Sequence, residues 1–142
     1  VLQPGVRRWN LDEKDASANC RAVVEAQMLA LRLHSVWMGV RPQRIHATGG
    51  ASANVEILQV MADVHACPVF RFEVSNSAAL GAALRAAHAY LAETGTAPKW
   101  DEIARGFTDP IAGSEVRPDP VAVRIYDELL PRYAEFEARN LA

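Results

Sequence analysis

At 142 residues, half of them hydrophobic and with a net charge of −2, the chain has the make-up of one soluble globular domain or a piece of one. Its Lys and Arg are scattered, without a basic stripe, so no nucleic-acid partner is indicated, and no charge block is long enough to be an interaction tail. The longest apolar stretches are broken by Arg, Glu or Asp and follow no charged leader, which argues against a membrane span or export. Cys20 and Cys67, far apart, suit reduced thiols of a cytoplasmic protein better than a disulfide scaffold.

Val1 to Gly5 resembles neither a leader nor a disordered tail and begins without Met, so the sequence reads as truncated. Val6 to Trp9 is predicted as a short strand, and Asn10 to Asp15 supplies turn and capping residues for the first long helix. In that helix Ala22, Ala26, Leu29, Leu33 and Val36 recur at spacings of three and four. Arg21, Glu25, Arg32 and Ser35 form only a narrow polar stripe, which predicts that most of its circumference is buried. Gly39 and Arg41-Pro42 stop it.

Arg44 to Thr48 reads as a strand, followed by Gly49-Gly50 and a helix over Ala53 to Ala66 with Ile57, Leu58, Met61, Ala62 and Val64 toward the core. Paired glycines after a strand let a ligand approach the backbone without interference from Cβ atoms, and the helix start offers unpaired N–H groups to polar or anionic atoms. A nucleotide is the natural candidate. The pattern is neither Gly-x-Gly-x-x-Gly nor a P-loop, however, and an ordinary tight strand-to-helix turn would look the same.

Pro68 to Val74 is predicted as the next strand, with Phe70, Phe72 and Val74 on one face and Val69, Arg71 and Glu73 on the other. Strand, helix, strand, helix argues for parallel strands joined by helical crossovers. Ser75-Asn76-Ser77 caps an Ala-rich helix to about Leu91, in which Gly81 predicts close packing, since a helix-interior Gly costs about 1 kcal/mol relative to Ala. A short helix is expected over Pro98 to Arg105. A last helix follows Asp119-Pro120, with Val121, Ile125, Leu129, Tyr133 and Phe136 on one side and a kink at Pro131. Three strands at most cannot cover four apolar helix faces, so further strands are expected upstream of this sequence.

The motifs taken together carry more than any one of them. Ala47-Thr48-Gly49-Gly50-Ala51-Ser52-Ala53-Asn54, then Glu56-Ile57-Leu58-Gln59-Val60, Ala62-Asp63-Val64, Pro68-Val69 and Ala79-Leu80-Gly81-Ala82-Ala83 resemble, in this order, the C-terminal part of the FGGY carbohydrate kinases. The first long helix, from Arg21 to Glu25, and the closing helix, from Tyr126 to Tyr133, fit the same resemblance, which covers nearly the whole chain. Within the family it is most similar to the branch that phosphorylates D-xylulose.

The resemblance implies an α/β fold, a partial RNase H-like domain of the actin-like ATPase type. Residues 1–142 would be the C-terminal part of its second, nucleotide-binding domain, with the N-terminal domain absent. It implies ATP as cofactor, with Gly49, Gly50, Ala51, Ser52 and Asn54 at the adenosine end. Asn54 would hydrogen-bond base or ribose, or cap the helix, and the two roles are compatible. Gly81 and its alanines would match a connecting helix packed at the interdomain hinge. The Asp base, the phosphate loops and most Mg²⁺ ligands would lie upstream, as would most sugar contacts, so no catalytic residue is assigned and the segment alone is expected to be inactive. The resemblance is compatible with a homodimer.

Elsewhere the chemistry is thin. His34, His46, His65 and His88 have no metal-ligand spacing with each other or Cys67. Trp9, Trp37 and Trp100 read as core or interface residues. Ser52 lacks the context of a hydrolase nucleophile, and Asp12, Asp63 and Asp101 carry no catalytic signature, Asp63 reading as a solvent or end-of-helix polar contact. Two other readings stay open: a kinase for another pentulose or glycerol, and a nucleotide-binding or assembly module without catalysis.

Overall fold

The first long helix, α1 (Ala16–His34), begins where the Asp15 carboxylate accepts the Ala18 N–H at 2.9 Å, and its last turn carries Arg32 and His34. A 3-10 turn over Val36–Met38 then closes on Gly39, whose φ of +67° is the left-handed conformation that glycine takes without strain. The computed structural model describes residues 5–141 apart from Glu73, Ser75 and Ala97, and only the backbone of Leu141. Residues 1–4 and Ser75, and with them parts of the expected start and of the cap before the Ala-rich helix, lie outside the described residues.

Strands β1 (Ile45–Ala47) and β2 (Val69–Arg71) pair in parallel, Ile45 opposite Val69 and Ala47 opposite Arg71, joined by the crossover helix α2 (Val55–His65). This is the expected βαβ unit, with each strand shorter than its sequence pattern. Residues 6–9 form no strand. The outer edge of β2 is closed by the chain itself: Val69 and Val116 exchange backbone bonds at 2.9 and 2.8 Å, and the Ile111 N–H donates to the Arg71 carbonyl at 2.8 Å.

Helix α2 is the centre of the molecule. One side places Leu58 and Ala62 against Ala47 and Val69 of the sheet; another places Val60 and Val64 against Met28 and Leu29 of α1 and Tyr126 of α5 (Pro120–Leu141). Val60, absent from the expected core set, is buried because two layers meet on this one helix. The opposite face of the sheet carries His46, whose ring meets Phe72 edge-on at 4.6 Å and Phe70 at 6.0 Å.

Three expectations change. Helix α1 buries fully only Met28 and Leu29, while Val23 and Leu31 are exposed, so its circumference is not mostly covered: α2 and α5 both pack on one side. Helix α5 buries Tyr126, with Ala122, Leu129, Leu130 and Tyr133 beside it. Val121 and Ile125, expected inside, are 54% and 57% exposed. The helix is rotated this way by polar ties: the Tyr126 hydroxyl donates to Glu25 at 2.8 Å and accepts from Arg21 at 3.1 Å, while Arg32 bridges Asp127 at 2.6 Å and the Val64 carbonyl at 2.7 Å. It continues as one helix past Pro131, which lies inside it.

The third correction concerns α3 (Ser77–Glu93), which has no fully buried residue. A methyl group built on Gly81 would meet nothing within 4 Å, so the close packing expected there is not made among the described residues. Its companion is the short α4 (Trp100–Ala104), held by Trp100 stacking on His88 at 4.3 Å. Of the tryptophans, read as core or interface residues, Trp37 is 84% exposed and so not core, and Trp9 stacks on Phe136 at 6.2 Å beneath Arg132. No described helix is long and apolar enough to cross a membrane.

Candidate functional site

β1 delivers the chain into Thr48 and then Gly49, whose φ of +84° and ψ of −176° fall in a region that only glycine populates readily. A 3-10 turn over Gly50–Ala53 follows, and Asn54 starts α2. The turn is tied to itself. The Gly49 carbonyl accepts the Ser52 N–H at 3.1 Å and the Ser52 hydroxyl at 2.7 Å, and the Ala51 carbonyl accepts the Asn54 N–H at 3.1 Å.

Asn54 caps α2: its Oδ1 accepts the N–H groups of Glu56 at 2.9 Å and Ile57 at 3.3 Å. The helix start is thus less open than the sequence suggested, because two of its donors are taken from within. What remains for a partner is defined. Asn54 keeps its Nδ2 as a donor, and Ser52, its proton given to Gly49, keeps its oxygen as an acceptor.

The two glycines play different parts. Gly49 is required by its backbone angles. Gly50 lies outside the left-handed region, and a Cβ on it would meet nothing within 4 Å, so nothing among the described residues demands glycine there. Together they leave a bare stretch of backbone at the C-terminal end of a parallel strand, the end where open α/β sheets bind their ligands.

Beside the turn lies a cleft of about 270 Å³, floored by Ala47, Thr48, Ala51 and Ser52 and walled by Ile57 and Met61 of α2 and Gln27 and Met28 of α1. Ala51 and Ser52 line it, whereas Gly49, Gly50 and Asn54 do not. Gln27, Met28 and Thr48 were not anticipated. For Thr48 the signal was present, since it ends the strand that feeds the glycine pair; for the α1 residues only tertiary packing brings them there. His46, which also lines the cleft, is held below the ordinary histidine range by burial and by the nearby Arg44 charge.

The carboxylates are committed elsewhere. Asp63 is not a solvent contact but 3% exposed, accepting from Gln59 and from the Asp119 backbone. Asp12 accepts the Lys14 N–H, and Asp101 lies in the exposed first turn of α4. Among the described residues no three of His, Cys, Asp or Glu gather into a cluster that could hold a metal ion. The bare turn leaves its backbone open to approach, since a Cβ on Gly49 or Gly50 would meet nothing within 4 Å.

Known proteins are similar to this chain in sequence and fold. The profile of the FGGY family of carbohydrate kinases, C-terminal domain, matches residues 10–90. A xylulose kinase of Rattus norvegicus is 40% identical over 146 aligned positions, taking in 97% of this chain and 26% of the rat protein. Xylulose kinase 2 of Arabidopsis thaliana is 44% identical over 89 positions, 61% of this chain and 16% of the plant protein. Among solved structures, the xylulose kinase of Rhodospirillum rubrum superposes with a TM-score of 0.69 at 27% identity, over 92% of this chain and 26% of that one. A gluconate kinase of Lactobacillus acidophilus gives the same TM-score of 0.69 at 23% identity, over 85% of this chain and 24% of that one.

Fold and turn together define a sugar-kinase domain of the actin-like ATPase architecture. The chain belongs to the FGGY family of carbohydrate kinases. It spans about a quarter of the length of the rat relative.

Proposed function

We infer that this chain is the adenosine-contacting part of an enzyme that transfers the γ-phosphoryl group of ATP to D-xylulose, giving D-xylulose 5-phosphate. The observation that carries the reading is the bare Gly49–Gly50 backbone at the end of β1, with Gly50 a glycine that nothing in the described chain requires. The identity to xylulose kinases across 97% of the chain supports D-xylulose as the substrate.

In this reading the Gly49–Gly50 backbone lies against the nucleoside, the Asn54 amide donates to an acceptor on base or ribose, and the Ser52 oxygen accepts from a ribose hydroxyl. ATP supplies the phosphoryl group when bound, and these residues position it. Phosphoryl transfer is governed by positioning and charge stabilisation at the γ-phosphate. The groups that perform the latter, including the base that takes the sugar hydroxyl proton, are assigned to sequence beyond these 142 residues. The chain alone is therefore inactive. Its two free cysteines, Cys20 exposed and Cys67 buried, are in keeping with a cytoplasmic location.

A second reading, the same chemistry on another sugar, is favoured by the equal structural likeness to a gluconate kinase. The test is sugar-dependent ADP release by the complete reading frame, with D-xylulose beside other pentuloses, gluconate and glycerol. Preference for D-xylulose is expected. Preference for another sugar would replace the substrate and keep the nucleotide site, and no turnover with any of them would overturn the kinase reading.

A further inference from the structure

Thr48 and Ser77 are 29 residues apart in sequence, yet their hydroxyls meet at 3.0 Å. Thr48 follows β1 and precedes Gly49; Ser77 is the first residue of α3, whose cap Asn76 accepts the Ala79 N–H at 3.2 Å. The contact joins the mouth of the glycine turn to the start of the helix that follows β2.

Among the described residues little else holds α3. It has no fully buried residue, and a Cβ built on its Gly81 would meet nothing within 4 Å. Among the described residues, the bond to Thr48 is the only side-chain hydrogen bond that reaches α3 from beyond its own flanks. Arg85 and His88 pack on Trp100 of α4.

We propose that Thr48 and Ser77 are a positioning pair that couples the conformation of the Gly49–Gly50 turn to the placement of the first turn of α3, so that nucleotide at the turn and ordering of α3 favour each other. The inference rests on the nucleotide reading of that turn. An O–H···O bond keeps its strength over only a few tenths of an ångström, so a shift of the turn either breaks the bond or carries Ser77 with it. The coupling is reciprocal: whatever steadies α3 tightens nucleotide binding by the same factor. One modest hydrogen bond sets its size, about three- to tenfold in affinity.

The test uses the complete reading frame with ADP as the probe, combining titration calorimetry with amide hydrogen exchange. In the wild type, ADP slows exchange in the first turn of α3. Thr48→Val and Ser77→Ala each abolish that slowing and weaken ADP about three- to tenfold, the double variant is no weaker than either single, and Thr48→Ser restores both readouts. ADP binding with α3 exchange unchanged, or with the two substitutions additive, would overturn the pair while leaving the nucleotide site standing. An absence of ADP binding in the wild type would overturn the nucleotide reading and this inference together.

Discussion

Asp63, near the end of α2, accepts the backbone N–H of Asp119 at 2.8 Å and so holds the entry to α5 from inside the core. The same oxygen accepts the Gln59 amide at 2.8 Å, and Gln59 in turn donates to the Arg117 carbonyl at 2.9 Å. Asp63→Ala leaves both donors without their acceptor in a buried site and is expected to cost roughly 2–4 kcal/mol. Asp63→Asn keeps an acceptor oxygen and loses only the charge, for roughly 1–2 kcal/mol. Urea unfolding of the chain measures both; equal losses for the two variants would show that the hydrogen bonds are not what matters.

The glycine pair separates conformation from contact. Gly49→Ala forces a side chain into a region closed to it and is expected to lower stability by about 1–3 kcal/mol. Gly50→Ala meets no neighbour and is expected to change stability by less than about 0.5 kcal/mol, while reducing ADP affinity of the complete protein at least about tenfold. Unchanged ADP affinity in Gly50→Ala would remove the main support for the nucleotide site.

Asn54 has two separable duties. Asn54→Ala loses the cap and is expected to destabilise by about 1 kcal/mol, whereas Asn54→Asp caps equally well but replaces the free Nδ2 donor by an acceptor. Full thermal stability with weakened ADP binding is the expected result for Asn54→Asp. Full affinity in that variant would confine Asn54 to the cap.

Acid and alkali are expected to act through different groups. Burial, with Arg44, lowers His46, and burial, with Arg32, lowers His65 from the ordinary 6.5. The unfolded chain then binds more protons, so stability present above pH 6.5 falls as the pH drops through the folded values. Burial raises the Cys67 thiol from 9.0, Tyr133 from 10.0 with help from Glu137, and Tyr126 from 10.0, where Glu25 adds to burial and Arg21 opposes it. These contributions are complete below the unfolded values and are lost as pH rises through the folded ones. Thermal melting against pH checks the signs: His65→Gln should flatten the acid limb and Tyr126→Phe the alkaline limb, and parallel limbs in variant and wild type would refute the assignment.

What could be read from the residues in order was what is settled within a turn or two of the chain. The caps at Asp15, Asn54 and Asn76 and the stop at Gly39 act through bonds to neighbours a few residues away and were legible, and the βαβ alternation around Gly49-Gly50 was legible from the periodicity of its elements. So was the family, because several motifs in fixed order are a property of sequence alone. Tertiary structure decided which apolar stripe counts. Val121 and Ile125 have the same spacing as Ala122 and Tyr126, and only the hydroxyl of Tyr126 meeting Glu25 and Arg21, about a hundred positions away, turns the second stripe inward. Of the two readings of Asp63, solvent contact or end-of-helix polar contact, only the fold could choose the second, since its partner Asp119 lies 56 residues on. The open space over Gly50 and Gly81 belongs to this class as well: a glycine announces its freedom locally, but what approaches it is a matter of shape in three dimensions.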